Sequence, residues 1–137
     1  MENTTYTRAD LIELALSKYT KKEIGIDIFS LIKRKRDIKR VASSLILKVE
    51  NSDSVFYESH ITILRGAIHY CINKEITTNK DLSDFLKLSA NEMLEKIGDI
   101  KGCKKLKYLL STKQGEIFLS SAYRVFEVIH SIADTKN

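Results

Sequence analysis

The chain has 137 residues, 43% hydrophobic and 30% charged, with a formal net charge of +5. That length suits one domain with its own hydrophobic core, and that balance excludes a disordered chain. Proline is absent and glycine occurs only 5 times, so helices are favoured over a many-turned β-fold.

Two cysteines, Cys71 and Cys103, are too few for a disulfide framework and read as a buried, reduced pair. Residues 1–8 are polar and lack the layout of a signal peptide. No apolar run approaches the roughly 20 residues that cross a bilayer. A cytoplasmic protein is expected, or a nuclear one in a eukaryote. The modest positive charge favours polyanionic partners.

Helix starts are read where Ser or Thr stands three residues before an acidic or amide side chain. The hydroxyl accepts from a free backbone N–H and the second side chain returns the bond. Thr7 and Asp10 open a first helix to about Tyr19, with Leu11, Leu14 and Ala15 on one stripe. Thr20 and Glu23 offer a restart, which Gly25 and the β-branched Ile24, Ile26 and Ile28 oppose. Residues 27 to about 50 read as one long helix, because Ile28, Leu31, Ile32, Ile38, Val41, Ala42, Leu45, Ile46 and Val49 recur at helical steps.

A polar loop at 51–54 leads to a helix from Val55 to about Asn73, with Ile61, Leu64, Ile68 and Ile72 on one side. Two short helices follow, capped by Thr78 with Asp81 and by Ser89 with Glu92. After Gly98, the alternation Leu106, Tyr108, Leu110 predicts a β-hairpin over 101–110. Ser111 with Gln114 caps a final helix carrying Phe118, Ala122, Val125, Ile129 and Ile132, and the tail from Asp134 is expected to fray.

Two short helices joined by a tight turn have the geometry of a helix-turn-helix, and Leu82, Leu86, Leu88, Met93 and Ile97 would pack them together. With a hairpin and a long helix behind it, this order resembles the winged-helix regulators of the MarR family. Leu110-Ser111-Thr112-Lys113-Gln114-Gly115 is similar to that family's step from wing strand into closing helix, and the resemblance covers residues 55–133. It implies a mainly α, winged helix-turn-helix fold in a single domain: N-terminal helices in 1–54, a core in 55–115 and a closing helix in 116–133, with the outer helices forming a homodimer. It further implies a DNA-binding transcriptional regulator whose second short helix presents Ser89, Asn91 and Lys96 to double-stranded DNA. Ser83 and Lys87 stand where the family commonly has alanine and glycine. The same helix carries Glu95, with Asp99 just beyond it, and carboxylates repel phosphates. That favours the alternative of an all-α protein-interaction module, an adaptor or inhibitor without DNA binding.

The basic residues fall into two segments. Lys33, Arg36 and Arg40 share one helical face within the run 33–40, and Lys101, Lys104, Lys105 and Lys107 lie in the expected wing. Both could track phosphates, each contact releasing counterions; a solvated surface is the plainer alternative. Tyr108, among the wing lysines, fits the core equally well. No CxxC, HExxH, glycine-rich phosphate loop or nucleophile elbow is present, so neither an enzyme nor a cofactor or metal site is expected. His69 and Cys71 are two apart and diverge on a helix. Cys103, beside Lys101, Lys104 and Lys105, has neighbours that favour a reactive thiolate.

Overall fold

The computed structural model describes residues 27–47 and 53–134. A 3-10 helix (Ile28–Leu31) precedes α1 (Lys35–Ile46), α2 (Tyr57–Asn73), α3 (Asn79–Leu86) and α4 (Ala90–Ile97). A second 3-10 turn (Lys101–Cys103) runs into α5 (Lys104–Ser111), followed by α6 (Gly115–Ser121) and α7 (Tyr123–Asp134). The expected helix at 7–19, the restart at Thr20 and the tail beyond 134 lie outside the described residues. Among the described residues no helix is long and apolar enough to cross a membrane.

The single helix expected over 27–50 is two elements. Asp27 accepts from the Phe29 N–H (3.1 Å), and the Ile28 N–H donates to Asn79 Oδ1 on α3 (2.9 Å). The chain is then extended at Ile32 and again at Arg34 before α1 begins. The cause is Asp37, wholly buried in the first turn of α1. Its Oδ2 accepts from the backbone N–H of Lys33 (2.9 Å) and of Arg34 (3.0 Å), so those amides are capped by a side chain instead of continuing a helix.

The helix α2 is the centre of the molecule, packed against α1, α3, α5, α6 and the second 3-10 turn. His60, Ile61, Ile63, Leu64, Gly66, Ala67, Ile68, Tyr70 and Cys71 are all buried. A helix apolar over most of its circumference must be covered on most sides. Along its middle what stays open is a stripe at helical spacing, Glu58, Thr62, Arg65 and His69, which runs on to Ile72, expected on the apolar side but exposed. Tyr70 stacks on Phe85 of α3 at a centroid distance of 4.5 Å. At the other end His60 Nε2 donates to Ser121 Oγ (3.0 Å), whose own hydrogen goes to the Phe118 carbonyl (2.8 Å).

The caps predicted for the two short helices are present, whereas the one predicted at Ser111 is not. Thr78 Oγ1 accepts from the Asp81 N–H (3.0 Å). Ser89 Oγ accepts from the Glu92 N–H (3.2 Å) while the Glu92 carboxylate accepts from the Ser89 N–H (2.9 Å).

The mainly α class fits, but the winged helix-turn-helix does not. Among the described residues there is no strand, and the segment expected to form the wing is the second 3-10 turn and α5. Cys103, Leu106 and Leu110, spaced by three and four, are all buried, which is the stripe of a helix. Tyr108, two residues from Leu106 and so on the far side of the turn, is 78% exposed. The short helices also have different main neighbours: α3 packs on α7 and α2, and α4 on α5 and α6.

The closing helix expected after Ser111 is likewise two. Ser111 ends α5, its hydroxyl donating to the Lys107 carbonyl (2.7 Å), and the break between α6 and α7 falls at Ala122. In α7, Val125, Phe126 and Ile129 are buried, and α3 is the principal neighbour. His130 Nδ1 meets Ser83 Oγ across that contact at 2.6 Å.

Candidate functional site

The open stripe of α2 faces the second 3-10 turn and the start of α5. Between them lies a cleft of about 250 Å³ lined by Thr62, Arg65, Gly66, His69, Lys101, Gly102, Lys104, Lys105 and Leu106. Small residues bring its walls together. A Cβ added at Gly66 would stand 2.6 Å from Leu106 Cβ, and one at Gly102 would overlap the His69 ring. The Cys103 thiol donates to the Gly66 carbonyl (3.3 Å), fixing the 3-10 turn on α2. Leu106, 1% exposed, anchors α5 from below and leaves its lysines on the rim.

Five of the lining residues carry basic groups, and among the described residues at the cleft none is acidic. Burial, then the charge of Arg65, then that of Lys35 on α1, hold His69 below the ordinary histidine value of 6.5. Lys35 adds to that effect from α1, but neither it nor the expected Lys33, Arg36 and Arg40 line the cleft. Those three are exposed, and Arg36 and Arg40 lie opposite the buried stripe of Ile38, Val41, Ala42 and Leu45. The Arg65 Nε is buried with no hydrogen-bond acceptor among the described residues. Buried donors are nearly always paired in proteins. A guanidinium suits a phosphate or carboxylate there, since its planar fork matches either.

The other expected contacts are scattered. Lys101, Lys104 and Lys105 line the cleft, whereas Lys107 pairs with Asp99 at 3.2 Å. Ser89 serves as the α4 cap and Asn91 is exposed. Lys96 lines a separate hollow beside Asp81 and Asp84. The residues that sequence reading missed are Arg65 and His69. The only signal for them was their four-residue spacing on the polar side of α2.

Cys103 is buried, which disfavours the reactive thiolate that its sequence neighbours suggested. Burial outweighs its lysine neighbours, so the thiol is pushed up to about 11, and that of Cys71 to about 12. No group of three or more His, Cys, Asp or Glu residues that could hold a metal occurs among the described residues.

These features define a helical domain with a preformed basic cleft. No protein-family model matches the chain, and no curated protein or solved structure matches it.

Proposed function

We propose that this domain binds nucleic acid through backbone phosphates held in the cleft between α2 and α5. The observation that carries this reading is the convergence of Arg65, His69, Lys101, Lys104 and Lys105 in one hollow. Like charges roughly 6–8 Å apart repel by on the order of 0.5–1 kcal/mol per pair in water-like surroundings. An anion reverses the sign of that interaction. Each neutralised phosphate releases condensed counterions, so affinity falls with salt.

The test is fluorescence anisotropy with labelled oligonucleotides over a salt series. Affinity should fall steeply between 50 and 200 mM salt, by about 50-fold for a single strand and about 150-fold for a duplex if roughly four phosphates are neutralised. Lys104→Ala with Lys105→Ala should weaken binding at least about tenfold and make the salt slope shallower by about two contacts. Absence of binding to single or double strands at low salt overturns the reading.

The exposed side of α4 favours a second reading at that surface. Glu92 and Glu95 are exposed and Asp99 stands just beyond the helix. This acidic strip repels phosphates and suits a basic protein surface instead. A stoichiometric protein complex lost on Glu92→Lys with Glu95→Lys, with nucleic-acid binding unchanged, would support it as a separate contact.

A further inference from the structure

Beside the cleft lies a second hollow of about 350 Å³, lined by Thr62, Lys104, Lys105, Tyr108 and Leu109. It shares Thr62, Lys104 and Lys105 with the cleft, so the two form one continuous groove. Tyr108 is 78% exposed, the least buried of its helix's apolar residues, while Leu106 and Leu110 on the same helix are buried. It stands three and four positions after Lys105 and Lys104, which makes all three neighbours on the surface of α5. A helix-borne ring held next to two ammonium groups is an aromatic platform beside a phosphate track.

We infer that the groove takes single-stranded nucleic acid, with Tyr108 stacking a base whose phosphate sits on Lys104 and Lys105. This rests on the cleft being a phosphate site and adds which form of nucleic acid it takes. In a duplex the base faces are covered by their neighbours in the stack, and only edges and backbone are presented. The exposed Tyr108 ring has nothing to stack on there. In a single strand the base faces are free, and stacking on aromatic side chains is tolerant of sequence. The arrangement therefore favours strand over duplex without requiring base-edge hydrogen bonds. The length of strand held is expected to be short, because one aromatic platform adjoins one basic cleft.

The test compares a labelled oligothymidylate of about fifteen nucleotides, a duplex of the same length and inorganic polyphosphate, each at low salt. The strand should bind at least about tenfold more tightly than the duplex. Tyr108→Ala should weaken strand binding by about tenfold with the salt slope unchanged, Tyr108→Phe should restore it, and duplex and polyphosphate binding should move less than about twofold. If Tyr108→Ala leaves strand binding within about twofold while Lys104→Ala with Lys105→Ala abolishes it, the stacking inference falls and the phosphate reading stands. If no nucleic acid binds, or the lysine variants bind as the wild type does, the phosphate reading falls and the inference with it.

Discussion

Two residues carry unusual backbone conformations with opposite consequences. At the end of α2 the Ile76 N–H donates to the Cys71 carbonyl (3.0 Å) and the Glu75 N–H to that of Ile72 (3.1 Å). This is a Schellman closure, which wants glycine in the left-handed position, yet Glu75 holds it with φ of 59°. Glu75→Gly should therefore gain about 0.5–1 kcal/mol, read as a higher urea midpoint. Gly98 closes α4 with φ 47° and ψ −120°, a region essentially reserved for glycine. A Cβ there would meet nothing within 4 Å. The loss expected for Gly98→Ala, about 1–3 kcal/mol, is thus pure backbone strain.

His69 makes a third prediction at this scale. Its folded value lies below the ordinary 6.5, so on acidification the unfolded chain takes up the proton first. Its effect on stability should be absent above pH 6.5 and become a loss as pH falls from there toward the folded value, after which it levels off. His69→Gln should remove that loss in urea titrations at pH 7.5, 6 and 5.

Among the elements, α5 shows best what sequence could and could not reveal. Local chemistry was legible: the caps at Thr78 and Ser89 need only a hydroxyl and a side chain three residues on. The strand reading of 101–110 came from the alternation of Leu106, Tyr108 and Leu110, which is also what a helix shows when one apolar residue faces outward. The competing pattern, Cys103, Leu106 and Leu110, was the one that burial selected. The long helix over 27–50 failed for a different reason, because nothing in its periodicity announces that the Asp37 carboxylate will seize two amides behind it. Arg65 and His69 were unreadable as site residues because their partners lie more than thirty positions away. Leu106→Ala should cost about 2–5 kcal/mol in chemical unfolding, as for other fully buried leucines. Gly102→Ala should displace the His69 ring, returning its titration toward 6.5 in a proton NMR experiment.

For the whole molecule, the excess positive charge matters less than its placement. Arg65 comes from α2, Lys101 from the 3-10 turn and Lys104 and Lys105 from α5. The fold holds these like charges against their mutual repulsion, so function and stability pull in opposite directions here. Lys104→Gln and Lys105→Gln should leave the melting temperature unchanged or slightly higher while weakening nucleic-acid binding. A saturating anion should raise it: ligand at 100 times its Kd adds about 2.7 kcal/mol to folding stability.

The bond from the Ile28 amide to Asn79 Oδ1 joins positions 51 residues apart in the chain. Ile28 itself is 0% exposed, and Phe29, Leu31 and Ile32 pack partly against the core, so this amide and a short apolar contact latch the segment before α1. Such a latch can open without the rest of the bundle unfolding. Deuterium uptake at the Ile28 amide would then report the undocking of this segment, separately from the slowly exchanging amides of α2. Asn79→Ala should speed that uptake while leaving α2 protected, which makes the amide a built-in gauge of how independently the front of the domain moves.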